Sequence, residues 1–149
     1  MSRGKAAVAI AIALLFSGCD DFPRDPANSL DHIRASGTIR VGTEQDLPPE
    51  ARTLLEQVET ATGAKAELRR GALEPLLDKL ETGEIDLVVA PFTKKTPWAG
   101  LSALSPPVRT EGQGEQTVEW RAAMRSGENR WIMLVETSAR KVARAKATP

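Results

Sequence analysis

Cysteine, histidine and aromatic residues are scarce in this 149-residue chain, which has one Cys, one His, three Trp, three Phe and no Tyr. One cysteine excludes an internal disulfide. One histidine, His32, and one thiol leave no ligand set for a zinc ion and no nucleophile–histidine pair. Glycine-rich phosphate loops are missing as well, since neither a Walker pattern nor a dinucleotide fingerprint follows the first β-prone run. No apolar run reaches the ~20 residues that a membrane-spanning helix needs. The charges balance, with 20 basic and 20 acidic residues, so nothing in the net charge points to nucleic acid. The expectation is a protein that is not an enzyme, holds no cofactor or metal and has no nucleic-acid partner.

The amino terminus carries the most specific local signal. Met1-Ser2-Arg3-Gly4-Lys5 is short and basic, and AAVAIAIALLF from Ala6 to Phe16 is apolar. That arrangement has the form of a secretory signal. The next residues, Phe16-Ser17-Gly18-Cys19, resemble the lipobox of bacterial lipoproteins. The resemblance implies cleavage after Gly18 and a diacylglycerol on Cys19, which becomes the new amino terminus. It also implies attachment to the periplasmic face of a bacterial membrane. Asp20 resembles the inner-membrane retention signal of some Gram-negative bacteria. Each buried methylene of an acyl chain contributes about 0.8 kcal/mol, and stable anchoring takes more than one chain.

Removing residues 1–18 takes away Arg3 and Lys5 and leaves eighteen basic residues against twenty acidic ones. Residues 20–29, DDFPRDPANS, are polar and proline-rich, so 19–29 read as a flexible tether. Residues 30–149 are enough for one compact domain with one core.

Within that domain the hydrophobic period alternates between strand and helix. Ser29 to Arg34 is predicted to form a short opening helix stopped by Gly37, and Thr38 to Gly42 a strand with Ile39 and Val41 on one face. From Pro48-Pro49 the period changes, and Ala51, Leu54, Leu55, Val58 and Ala61 follow helical spacing up to Gly63. Ala64 to Arg69 is a weaker strand. Leu73, Leu76, Leu77 and Leu80 stripe a second helix that ends at Gly83, with Pro75 in its first turn. Ile85-Asp86-Leu87-Val88-Val89-Ala90 reads as a strand buried on both faces, as in a parallel sheet. A Pro/Gly-rich passage follows, and Val118, Trp120, Ala122 and Met124 then alternate as a fourth strand. The last helix presents Trp131, Ile132, Val135, Ala139 and Val142 inward, and its cationic end suits the helix dipole. The class is α/β: one three-layer lobe with a mostly parallel sheet of about four strands.

Three passages are similar to family 3 periplasmic solute-binding proteins. They are SLDHIRASGTIRVGTEQDLPPE from Ser29, LLDKLETGEIDLVVAPFTKKTPWAGLSALSPPV from Leu76 and TVEWRAAMRSGENRWIMLVE from Thr117. The resemblance covers most of the domain and implies a transporter substrate-binding lobe for a small, amino-acid-like solute, served by an ABC transporter. That family has two lobes, and here the passage Thr110 to Gln116 stands where the second would be, so the chain reads as a lobe with its partner missing. Other departures touch the site. The loop after the first strand lacks the family's aromatic residue, and Trp98 stands where an arginine would hold the solute's carboxylate. An indole cannot make that bidentate contact.

The candidate ligand-binding residues are those expected at the carboxyl ends of the strands, where ligands of open α/β sheets gather. They are Thr43, Glu44 and Asp46 after the first strand, and Phe92, Thr93, Lys95 and Trp98 after the third, with Lys94 beside them. An alternative reading has Trp98 packed on the lobe and the lysines simply solvated. A second functional reading is an interaction module that docks on a membrane transporter, or a homodimer that self-associates through the exposed strand edge.

Overall fold

The computed structural model describes residues 25–147; the signal sequence, Cys19 and most of the expected tether lie outside the described residues. Among these residues four α-helices and six strands follow one another. They are α1 (Ser29–Ser36), β1 (Thr38–Thr43), α2 (Pro49–Thr62), β2 (Lys65–Arg70), α3 (Leu73–Thr82), β3 (Leu87–Thr93), β4 (Ser102–Leu104), β5 (Arg109–Glu111), β6 (Val118–Arg125) and α4 (Asn129–Ala147). Helices α1, α2 and α3 end at Gly37, Gly63 and Gly83, the stops expected from the sequence. Pro49 opens α2, where a missing N–H leaves no helical bond unmade.

The sheet order is β2-β1-β3-β6, with β4 and β5 both laid on the far side of β6. Strands β1 and β3 are parallel neighbours, with Val41 opposite Leu87, and β1 and β2 are parallel over their whole length. All three pairings of β6 are antiparallel. The α/β lobe therefore stands as expected, but its sheet has six strands rather than about four and is mixed rather than mostly parallel. Strands β4 and β5, three residues each, fall in the passage read as a connection. Three residues are too few to show a period. They become strands because the eight-residue β6 offers both of them an edge to pair with.

Helices cover both faces of β1, β3 and β6, while the outer strand β2 is largely exposed. On one face Ile39, Val41, Leu87, Val89, Trp120, Ala122 and Met124 pack against α1, α2 and α4. On the other, Val88, Ala90, Phe92 and Ala123 pack against Leu76, Leu77 and Leu80 of α3. Gly42, near the carboxyl end of β1, lies under α3, and a Cβ there would stand 3.0 Å from Leu76 Cδ2. The α2 stripe departs from expectation only at its end. Thr62 rather than Ala61 turns inward, with Oγ1 donating to the Val58 carbonyl at 2.8 Å.

Polar groups tie the amino-terminal ends of the strands together. The Asp86 carboxylate accepts from Arg40 backbone N (2.8 Å), Nε (2.9 Å) and Nη2 (2.6 Å). The carbonyl of Asp86 accepts the Trp131 indole N–H at 2.9 Å. Glu128, 1% exposed, accepts from the backbone N–H of Ala27 (2.7 Å) and Ser29 (2.9 Å). In return Asp25 accepts from Arg130 N in the first turn of α4 at 3.0 Å. The carboxyl end of the expected tether is thereby corrected: residues 25–29 are part of the lobe, held by a reciprocal clamp that sequence distance concealed.

Candidate functional site

Strands β1, β2 and β3 run parallel, so their carboxyl ends, with the loops that follow, form one edge of the lobe. The β5–β6 connection ends at the same edge, because Glu111 pairs with Val118 and Val118 with Thr93. This connection is short and constrained. Gly112 has φ +83°, and a Cβ there would stand 2.5 Å from the Gln116 carbonyl oxygen, so only glycine fits the turn.

The structure sorts the candidate residues into three groups. Glu44, Asp46, Thr93, Lys94 and Lys95 are exposed at the edge. Thr43 is there too but buried at 1% exposure, its hydroxyl donating to the Gln45 carbonyl at 2.8 Å, so it shapes the loop. Phe92 and Trp98 are elsewhere. Phe92 alternates inward onto α3 and is 2% exposed. Trp98 is carried away because the chain turns at Pro97–Gly100 and doubles back to seat β4 on Ala123–Arg125. It lies half-buried in a groove of about 330 Å³ beside Leu77, Leu80 and Arg125, towards the other end of the sheet.

Next to the edge, between α2 and the outer strand β2, runs an open groove of about 360 Å³ that includes Thr43, Gln45, Asp46, Arg52 and Arg70. Arg70 at the end of β2 makes an ion pair with Asp46. Its hydrogen bond, and then its charge, hold the Asp46 carboxyl below the usual range. Glu50, in the first turn of α2, is met by Arg109 and Lys146, each at 3.2 Å. Its own backbone N–H is the largest cause of its lowered pKa; burial opposes the shift and the two cations support it. Arg70 and Arg109 were not among the candidates, because nothing local in the sequence links them to partners 24 and 59 residues away.

The arrangement offers charges of both signs on neighbouring strands. Glu44 follows β1, and Lys94 and Lys95 follow β3; none of the three makes an ion pair among the described residues. Adjacent strands lie about 4.8 Å apart. Because Gly42 stands opposite Val88, β3 runs past the end of β1, and Thr93, Lys94 and Lys95 stand on a higher step of the edge than Glu44. Among the described residues no group of three or more His, Cys, Asp or Glu side chains is placed to hold a metal ion.

No protein-family model and no curated protein matches the sequence. Solved structures do match. The arginine-bound form of domain 1 from TmArgBP, the ArgBP of T. maritima, superposes with a TM-score of 0.63 at 19% identity, over 74% of this chain and 98% of that one. This chain has the fold of a substrate-binding-protein lobe. The ancestral amino acid-binding protein AncCDT-1, a precursor of cyclohexadienyl dehydratase, matches with a TM-score of 0.66 at 14% identity, over 79% of this chain and 94% of that one. An amino acid ABC transporter substrate-binding protein from Streptococcus pneumoniae, bound to L-arginine, gives 0.68 at 11% identity, over 80% and 93%. At these identities the likeness is one of architecture.

Proposed function

We propose that this lobe binds a small amino-acid-like solute at the carboxyl edge of its parallel strands, as the substrate-binding part of an ABC transport system. The observation that carries the reading is the match over 98% of an isolated domain whose structure is arginine-bound. It supports the idea that one lobe of this architecture can hold such a solute without a second. Thr93, Lys94 and Lys95 receive the carboxylate. The passage Thr110 to Gln116, of which Thr110 and Glu111 belong to β5, replaces the second lobe. Its two connections would leave from β5 and return on β6, which are direct neighbours, so a short turn closes the gap without disturbing the sheet.

Residues 1–18 act as a signal peptide, and acylated Cys19 holds the lobe to the periplasmic face of the membrane. The tether is shorter than the sequence alone implies, because residues 25–29 are docked. The presence of Asp20 supports retention at the inner membrane. Among the described residues no helix is long and apolar enough to cross a membrane.

Calorimetry and thermal shift with a panel of amino acids, using the protein from residue 20 onward, test the binding. A bound solute must raise stability by an amount that grows with its concentration. A lack of stabilisation by any amino acid at millimolar concentration overturns the solute reading. Mass spectrometry of the membrane-extracted protein, finding an unmodified Cys19, overturns the anchor.

A further inference from the structure

Strand β2 ends the sheet on one side, and no strand lies against its outer edge among the described residues. Lys65 N donates to the Gly37 carbonyl at 2.9 Å, and Gly71 N to the Thr43 carbonyl at 3.2 Å. The main-chain groups of Lys65, Glu67 and Arg69 therefore point to β1, and those of Ala66, Leu68 and Arg70 point outward. The Ala66 N–H is already taken, because the Glu59 carboxylate accepts it at 2.8 Å. The N–H groups of Leu68 and Arg70 make no hydrogen bond among the described residues. Leu68 is 53% exposed and lies on the face that carries the open groove against α2. Glu67 and Arg69 are exposed on the opposite face and make no ion pair among the described residues.

Charged residues on an edge strand ordinarily keep it from pairing. In β2 their order favours one pairing, with the strand's own copy. We propose that two copies of this chain join antiparallel through β2, about a two-fold axis normal to the sheet that passes between their Leu68 residues. Leu68 then exchanges main-chain hydrogen bonds with Leu68 of the other copy, and the Arg70 N–H reaches the Ala66 carbonyl. On the face away from α2, Glu67 stands beside Arg69 of the other copy, and Arg69 beside Glu67. Registers one residue away set like charges together: one opposes Glu67 to itself and Lys65 to Arg69, the other opposes Arg69 to itself. A register centred on Ala66 needs the N–H that Glu59 occupies, and one centred on Arg70 runs off the strand at Gly71. The run KAELRR therefore specifies a single register. A two-fold pair of this kind closes on itself without forming chains.

The other charges beside this edge suit the same arrangement. Arg40 stands opposite Glu67 on β1 and has the sign that Glu67 attracts. Lys65 comes opposite Gly71 of the other copy, shortly before Glu74 in the first turn of α3. On the α2 face, Asp46 stays paired with Arg70. The rotation carries Arg70 and Arg52 of one copy towards Glu59 of the other, which lies against Ala66. Glu56, about level with Leu68, is the group brought near its own copy. Strand β2 is about 20 Å long, and the sheet with one helical layer is about 20 Å thick. That gives roughly 400 Å² per copy, so the pair is weak and reversible. An axis along the membrane normal holds both copies at equal height, so two anchored chains can form the same pair. Strand β3 lies two places in from β2, so the pairing leaves Thr93, Lys94 and Lys95 uncovered and does not rest on the solute reading.

Sedimentation of the protein from residue 20 onward, without added solute, tests the proposal. That protein retains every described residue and contains no native cysteine. A concentration-dependent dimer that weakens with added salt is expected. Arg69→Glu is expected to raise the dimer dissociation constant about tenfold, because it turns two symmetric attractions into repulsions. Its urea midpoint at low protein concentration is expected to match that of the unaltered protein, since the position is exposed. Adding Glu67→Arg is expected to bring the dissociation constant back to within about threefold of the unaltered value. Leu68→Cys is expected to crosslink between copies with a short thiol-directed reagent, and Thr93→Cys at the carboxyl edge is not. A monomer at every concentration overturns the proposal. So does a dimer that Leu68→Cys fails to crosslink, or a double charge reversal that binds no better than Arg69→Glu alone. Calorimetry on the same material reads solute binding separately, so failure of the dimer and failure of the solute site are distinguishable.

Discussion

The two ends of the sheet handle charge in opposite ways. At the amino-terminal end of the parallel strands, Asp86 and Glu128 are almost wholly withdrawn from water, and their carboxylate oxygens are met by N–H donors. At the carboxyl end, Glu44, Lys94 and Lys95 stand in solvent with no ion pair. A carboxylate taken out of water must find donors within the chain, and it then fixes the elements that supply them. A charge left in water contributes little to the fold and is available to something else. The closed end is architecture, and the open end is where a ligand has room to act.

Five variants test this contrast, beginning with the largest effect. Glu128→Ala leaves the N–H groups of Ala27 and Ser29 without an acceptor and is expected to cost about 3 kcal/mol in urea denaturation. Its carboxyl also sets a pH dependence. Burial pushes its pKa up, but the N–H groups of Ser29 and Ala27, the Ser29 hydroxyl and the charge of Arg125 together hold it below the usual value. The native state then binds fewer protons than the unfolded chain. The contribution is fully present above the ordinary Glu pKa and is lost as pH falls through the lower folded value. In Glu128→Gln that part of the acid slope is expected to disappear. If it persists, the clamp is not the source.

Asp86→Ala removes three hydrogen bonds to Arg40, one of them to the backbone, and leaves a half-exposed guanidinium that water can still reach. About 2 kcal/mol is expected by the same measurement. At the open end the effect moves from stability to binding. Thr93→Ala with Lys95→Ala is expected to leave the urea midpoint nearly unchanged and to weaken the best solute of the panel about fivefold or more by calorimetry. A large loss of stability here would break the contrast between the ends. The smallest change is expected from Asp46→Asn, whose partner Arg70 is also exposed. Its thermal midpoint at neutral pH should match that of the unaltered protein at high salt, where exposed pairs are screened.

Much of the fold was legible in the residues because it repeats locally. The stripes Leu76, Leu77, Leu80 and Leu54, Leu55, Val58 place two helices, and the alternation of Trp120, Ala122 and Met124 places β6. The site was less legible. Phe92 belongs to a run that is apolar on both faces, so its neighbours did not reveal that it turns towards α3. Trp98 looked like part of the edge from its place after β3, until the return of the chain to β6 drew it away. Glu128 and Asp25 are about 100 residues from the groups they bind.

What the sequence determined alone was the alternation of strand and helix and the points where helices stop. Those follow from side-chain periodicity and backbone freedom, which act over a few residues. Which charges are sealed into the lobe and which remain on its edge was decided only by the tertiary structure. Burial is a property of the assembled layers, and the same carboxylate is structural or available according to whether a distant strand or helix brings donors to it.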